Sequence, residues 1–573
     1  MKQMQNIRSL CLFVALCAFA NVRAQLSTNE KPVSFGRESE MQVKHRSTNP
    51  IVTMPQLDMA KIEKEDKEDE EYDMPPRFGY PHMVNYNLNN SGTWYELSNG
   101  DKLWQLNVIC PNALSVNFCY DKFWIPEGGK LFVYSKDKKQ SIGAFTSKNN
   151  KGDSLNVRGF ASGLVFGDDV ILEYYQPKEV RTEAIISIEY VIHGYRYIKF
   201  GEKGFGDSGD CMVNINCDEG QNWQNEKRAV ARIIIQGRYY CSGSLITTTN
   251  LSGEPFFLTA NHCISKVNKD ALNDPSLDYT FFYWNYEAPG CSNVYTEPTS
   301  YTTSGATVLA NNSSSDFALF RLDEDPQNLI DYIPYYLGWD RSGVSSDPGV
   351  CIHHPKGDVK KISTVADQPV STSYLSYAES ANATHWKITW GITQHNHHGT
   401  TEGGSSGSPL LSAKHKVIGQ LHGGYSDCGD SIMAPDWYGK FNLSWTGNDN
   451  SSVYRRLNCW LDSLNTGIQT IEGLLIIPTP RTMTDDEQLY SNIRILGTGQ
   501  LTIQGEIEQM GNSQVIVEPG GKLIIDGGTL SKVDLVLKPG SSLRIINGGI
   551  IETRNGFKAP VGALVNIENG KIF

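Results

Sequence analysis

The last part of the chain repeats itself, and this limits its fold more than any other feature of the sequence. Pro519-Gly520, Pro539-Gly540 and Pro560 recur at steps of 20 and 21 residues, and Gly527-Gly528, Gly548-Gly549 and Asn569-Gly570 at 21 and 21. Between them lie Leu523-Ile524-Ile525, Leu543-Arg544-Ile545-Ile546 and Leu564-Val565-Asn566-Ile567, with Leu501-Thr502-Ile503 as a weaker earlier copy. A unit this short, one strand and a glycine turn, cannot bury its own apolar face, so copies must stack. The expectation is a short parallel β-solenoid over 485–573, joined through a linker over 474–484 that contains Pro478-Thr479-Pro480. No single polar residue type recurs at a fixed position. The solenoid therefore reads as a stalk or cap, with a surface or carbohydrate-binding role as the alternative and its partner unknown.

With 573 residues the chain exceeds one ordinary core. Residues 1–24 read as a signal peptide: Lys2 and Arg8, a short apolar run from Leu10 to Ala20, then small residues before Gln25. No later segment is long and apolar enough to span a membrane. The signal implies export, to the medium or the cell surface. It removes two of the 12 cysteines, and an even remainder in an exported chain predicts disulfides. A net charge of −12 argues against a nucleic-acid partner.

Residues 25–205 read as one region. Its start, to about residue 80, is polar with an acidic run from Glu63 to Asp73, and is expected to be disordered. From about 84, short alternating runs such as Leu103 to Val108, Lys130 to Tyr134 and Ile185 to Tyr190 predict a β-sandwich, with Cys110 and Cys119 as its internal pair. Residues 206–473 are also strand-rich. They close with an expected helix that puts Val453, Leu457, Trp460, Leu461 and Leu464 on one face.

Three motifs in 206–473 carry chemistry. Phe257 to Cys263 is an apolar strand ending on His262. Ser315 to Phe320 puts Asp316 at the mouth of a strand. Gly403-Gly404-Ser405-Ser406-Gly407-Ser408-Pro409 is a glycine-rich turn around Ser406. A serine hydroxyl is a weak nucleophile and needs a positioned base. A histidine can take its proton and return it to a leaving amine, and an aspartate can orient that histidine. The N–H groups of Gly404 and Ser406 could face one developing oxyanion. Each motif alone is weak. Together, in the order His, Asp, Ser, they follow the chymotrypsin-like arrangement.

The resemblance becomes specific in Ser242-Gly243-Ser244-Leu245, Tyr283-Trp284-Asn285-Tyr286, His353-His354-Pro355, Thr401 to Pro409 and Gly419 to Gly424. Residues 206–473 resemble the bacterial lysyl endopeptidases, serine proteases of the chymotrypsin-like double β-barrel. The likeness reaches loosely into the preceding region, which would then be a pro-region, and does not cover the solenoid. It implies His262 as base, Asp316 as its orienting acid, Ser406 as nucleophile, and bridges Cys211–Cys428, Cys217–Cys291 and Cys241–Cys263. Cys351 and Cys459 would remain, with a fourth bridge as one option. The resemblance also puts a pocket acid at Asp436, in Pro435 to Lys440, and His422 along the substrate groove.

Two positions depart from trypsin itself. Ser405 stands where an acid would pair with a new N-terminus, and Thr400 stands where trypsin keeps its specificity acid. Basic specificity would then rest on Asp436. The function this implies is acyl-enzyme hydrolysis of protein or peptide bonds after lysine, with arginine left open, and with no metal or cofactor. His395, His397 and His398 read as loop residues, and His353 and His354 as structural. Maturation is expected between Gly204 and Gly206, with Lys203 as a self-cleavage residue. Two rivals stand: a protease of other specificity, and a non-catalytic surface adhesin that uses the solenoid.

Overall fold

The computed structural model describes residues 30–71, 74–153, 155–196, 208–265, 269–274, 276–292, 298, 300–329, 332–344, 347–393, 397–429 and 433–573. The expected signal peptide, the Lys203–Gly206 processing segment and His395 lie outside the described residues. His397 and His398 are described in backbone only, pairing with Ile392–Thr393. The molecule is mainly β.

The N-terminal region is two packed sheets. Lys102–Ile109 pairs with Asp169–Gln176 in one; Ser115–Trp124 pairs with Ile185–Gly194 in the other. Trp104, Leu106, Val108, Phe118, Tyr120 and Phe123 fill the space between them. The expected disordered start is instead ordered where it is described. Gln42–Arg46 and Ile51–Thr53 join the first sheet, and Met59–Glu71 is a helix. Its composition is too polar to hold a core. It is pinned at two points that composition does not reveal: buried Ile62, and buried Asp66, which pairs with Arg77 and Arg196. The expected Cys110–Cys119 bridge is not formed. The two thiols follow or sit on strands of opposite sheets and face different apolar clusters. Burial pushes the Cys110 thiol up to about 12.

The central region is the expected double β-barrel. One sheet runs Tyr301–Ser304, Phe281–Trp284, Val230–Ile235, Tyr239–Leu245, Phe256–Ala260, Phe317–Leu322 and Ala306–Asn312. The other is built around Val350–His353, Pro409–Leu411, Lys416–Gly424, Asp436–Lys440 and His385–Ile388. Bridges join Cys211–Cys428, Cys217–Cys291 and Cys241–Cys263. Cys351 and Cys459 are free; Cys351 is buried, with its Sγ 3.1 Å from Ser408 Oγ. The expected closing helix is broken into Val453–Arg455 and Asn458–Leu461, leaving Val453 and Leu464 exposed. The Asp462 carboxylate accepts from the amides of Thr466 and Gly467 at 2.9 and 3.2 Å, which turns the chain out of the helix.

The two regions meet across a buried carboxyl. Glu324 accepts from Asn149 Nδ2 at 2.9 Å and from the Ser304 amide at 2.6 Å, while Arg158 bridges Asp278 and Asp323. Burial lifts Glu324 from 4.5 to about 7, against the opposing charge of Lys151 and these hydrogen bonds. The folded chain thus binds this proton more tightly than the unfolded one. The associated stability is full below about 4.5 and is lost as pH rises towards 7, by roughly 1–3 kcal/mol. Glu324→Gln should therefore flatten the fall in melting temperature of the uncut chain between pH 5 and 8, as read by calorimetry.

The solenoid begins earlier than its sequence boundary. Gly473–Ile477 and Pro480–Met483, the expected linker, are its first strands and pair in parallel with Ser491–Ile495 and Gln500–Ile503. Alternate residues point inward: Leu501, Ile503, Leu523, Ile525, Leu543 and Ile545 are all buried. Gly520 and Gly540 each have φ of +86°, the turn conformation that explains the repeated Pro-Gly. The linker expectation fails because Gly473–Ile477 also pairs antiparallel with Tyr335–Tyr336 of the barrel. Lys416 meets Glu472 at 2.9 Å, and Arg494 donates to the carbonyls of Leu251 and Ser252. Barrel and solenoid share one apolar cluster. Deleting 473–573 removes Leu474, Leu475, Ile476 and Ile477, each fully buried and worth roughly 1.5–3 kcal/mol. The truncated chain should lose soluble yield and melt at a lower temperature.

Candidate active site

Two of the expected residues meet because two strand ends do, and a turn carries the third into the same cavity. His262 follows Phe256–Ala260, Asp316 precedes Phe317–Leu322, and those strands pair with Ala260 opposite Phe317. Asp316 Oδ2 lies 2.7 Å from His262 Nδ1, and its Oδ1 accepts the His262 amide at 2.9 Å. The Asn261 amide donates to the Asp316 carbonyl at 3.1 Å. Asp316 is 2% exposed and has φ of +52°, a backbone conformation held here by this double grip. Burial opposes its charge, but His262, His422 and the hydrogen bonds hold its pKa below the ordinary value. The Cys241–Cys263 bridge ties the residue after His262 to the neighbouring strand.

Ser406 lines the same cavity as His262. Its loop is clamped from several sides. The Ser242 amide donates to the Ser406 carbonyl at 2.9 Å, Ser242 Oγ to the Gly404 carbonyl at 2.9 Å, and the Lys356 amide to the Gly403 carbonyl at 2.6 Å. Gly404 has φ of +96°. The amides of Ser405, Gly407 and Ser408 are taken by the carbonyls of Glu402, Leu421 and Ser405. Among the described residues, no acceptor meets the amides of Gly404 or Ser406.

Ser405 has a partner that sequence reading missed. Its Oγ lies 2.8 Å from His353 Nδ1, and His353 Nε2 lies 3.1 Å from Ser363 Oγ. Burial pushes His353 down to about 3, so the ring is neutral. A neutral hydrogen-bond chain thus holds the loop where trypsin uses an ion pair. His354 is also buried, with Nδ1 2.9 Å from the Asp358 carbonyl.

Asp436 opens the strand Asp436–Lys440, opposite Gly424, and lines the cavity with Ser406. It is 1% exposed. Oδ2 accepts from Ser426 Oγ at 2.5 Å, Thr401 Oγ1 at 2.6 Å and Trp390 Nε1 at 2.8 Å. Burial raises its pKa against these hydrogen bonds. Thr400 is buried and donates to Ser426.

His422 also lines the cavity. Its Nε2 is 3.7 Å from Asp316 Oδ2, its Nδ1 3.0 Å from His385 Nε2, and its ring is stacked on Tyr374 at 3.6 Å. His385 and Tyr374 had no signal in the sequence, since neither sits in a motif. Burial and the neighbouring His422 push His385 down to about 3. Among the described residues, His262, Asp316 and His422 bring three potential metal-ligand atoms within 4.8 Å of one another. Two of those side chains are already joined by the His262–Asp316 hydrogen bond.

Residues 205–439 match the family model of the lysyl endopeptidase C-terminal domain. Lysyl endopeptidase of Pseudomonas aeruginosa strain PAO1 is 27% identical over 315 residues, which is 51% of this chain and 63% of that protein. Secreted RxLR effector protein 73 of Plasmopara viticola is 26% identical over 292 residues, 47% of this chain and 66% of its own. The chain thus spans less than two thirds of the length of either relative. Among solved structures, the inactive form of the Rv3671c protease aligns at 15% identity over 37% of this chain and 84% of its own, with a TM-score of 0.24. Deg5 aligns at 16% identity over 39% and 87%, also at 0.24. Scores this low add nothing to the fold described above.

Proposed function

We propose that this lysyl endopeptidase-like protein is a secreted serine endopeptidase that cuts protein and peptide chains after lysine. The supporting observation is one cavity that holds Ser406, His262 paired at 2.7 Å with buried Asp316, and Asp436. Asp316 fixes the imidazole with its Nδ1–H directed at the carboxylate, leaving Nε2 to take the Ser406 proton. The Ser406 oxygen attacks the substrate carbonyl. The amides of Gly404 and Ser406 receive the developing oxyanion on a loop that need not reorganise. His262 then gives its proton to the leaving amine, and water releases the acyl group by the same route in reverse.

Lysine specificity follows from Asp436. A carboxyl raised by burial is expensive to ionise alone, and a substrate ammonium entering the cavity supplies the missing countercharge. The neutral Ser405–His353 link supports a loop that does not wait for a new N-terminus. The three disulfides fit an oxidising compartment outside the cell.

Cleavage-site mapping on a denatured protein tests this. The expected pattern is cuts after lysine that stop once a serine-directed phosphonate has labelled Ser406. Cuts at unrelated residues would leave a protease of other specificity. No labelling and no cuts would favour a non-catalytic role.

A further inference from the structure

The segment Met74–Phe78 belongs to the N-terminal region, yet it lies on the catalytic domain. The Tyr240 amide donates to the Pro76 carbonyl at 3.1 Å, and the Phe78 amide to the Arg238 carbonyl at 2.9 Å. Arg77 pairs antiparallel with Tyr239. Phe78 is fully buried, its ring stacked on Tyr240 at 6.1 Å. The segment is thus a short strand added to Tyr239–Leu245.

The pairing sets its direction. Phe78 faces Arg238 and Pro76 faces Tyr240, so lower numbers in the segment lie towards higher numbers in the strand. Two residues past Tyr240, Ser242 is bonded to the Ser406 and Gly404 carbonyls. The segment therefore approaches Ser406 at Met74 and leaves it towards Phe78. Met74 and Pro76 line the cavity with His262, Ser406 and Asp436. Pro76 is so close to the loop that a Cβ on Gly403 would lie 2.8 Å from its ring. A substrate with its lysine over Asp436 and its leaving group towards Tyr240 runs the same way.

We infer that Met74–Phe78 is a tethered inhibitory strap with substrate polarity, and that its own sequence keeps it from being cut. This rests on the endopeptidase reading above. Met74 brings a thioether, not an ammonium, to the cavity that holds Asp436. Pro75 puts a ring carbon where a cleavable bond has a hydrogen, crowding the histidine that must protonate the leaving nitrogen. Met74 and Pro75 both precede proline and so are biased to extended backbone, the shape strand addition needs. Little further ordering is then required to bind. The strap is anchored at both sides. The Met74 amide donates to the Asp69 carbonyl at 3.2 Å. Buried Asp66 pairs with Arg77 and Arg196 at 2.9 Å each and accepts from Tyr195 Oη at 2.8 Å.

The test uses the full chain, reading the uncut band on a gel after brief exposure to a serine-directed phosphonate. An internally quenched lysine peptide long enough to fill both sides of the groove gives the turnover. Pro76→Asp should raise labelling of the uncut band and turnover at least tenfold. Met74→Lys/Pro75→Ala should turn the strap into a substrate, cut between residues 74 and 75, and this cut should vanish when Ser406→Ala is added. Equal labelling of unaltered and Pro76→Asp chains, or survival of that bond in a chain that cleaves the peptide, overturns the strap. A chain that neither labels nor cleaves in any of these forms removes the endopeptidase reading itself, and the strap with it.

Discussion

Ser406→Ala is expected to lower turnover by on the order of a millionfold while leaving the melting temperature unchanged. In the proposed mechanism the Ser406 oxygen is the atom that bonds to the substrate, and the hydroxyls of Thr401 and Ser426 in the same cavity are already bonded to Asp436. The loop that carries it is held by backbone groups and by neighbours. Its own carbonyl is bonded to the Ser242 amide, and the Gly404 carbonyl to Ser242 Oγ. Alanine keeps all of these contacts. In the same variant, produced without other proteases, the N-terminal region should stay covalently attached. Peptide turnover and intact mass read both effects. More than a few per cent of residual activity in a clean preparation would sink the assignment, and processing at the same bond would show that another enzyme performs the cut.

The second large effect concerns Asp436. Asp436→Asn should cost roughly 2–5 kcal/mol in kcat/KM for lysine peptides, about 30- to several-thousand-fold. The substrate ammonium loses its water on entering a cavity whose acid is 1% exposed, and asparagine returns no charge. The barrel should tolerate the change better than the chemistry does. The amide oxygen can still accept from Ser426, Thr401 and Trp390, the three donors now on Oδ2. Burial penalises the charged carboxylate, so its neutral replacement removes a desolvation cost from the folded state. Kinetics on paired lysine and neutral peptides separates the two effects: the lysine peptide should lose rate and the neutral one should not. Unchanged lysine cleavage would place the pocket acid elsewhere.

Much of this was legible in the sequence, for a local reason. His262, Asp316 and Ser406 each sit in a motif whose neighbours serve them: an apolar strand before the histidine, a strand after the aspartate, glycines around the serine. Pro-Gly and Gly-Gly at a fixed period encode solenoid turns because positive φ is a property of single residues. What lay outside these motifs was decided by tertiary structure. Ser405 is visible as a missing acid, but its buried partner His353 is distant in sequence and meets it only when the second sheet forms. The acidic Met59–Glu71 helix looked unable to fold because its anchor, Asp66, pairs with arginines at 77 and 196. Cys110 and Cys119 are close in sequence, yet the two sheets carry them into different cores. The boundary at the linker shifted for the same reason. Gly473–Ile477 is a strand because Tyr335–Tyr336 offers it an edge, and no local propensity records the presence of a partner strand. The sequence by itself thus determined the repeat and which candidate groups the chain offers, since both depend on residue type and short spacing. Only the tertiary structure decided which charges are paired, where the solenoid starts and what lies across the groove, because each depends on surfaces brought together from distant parts of the chain.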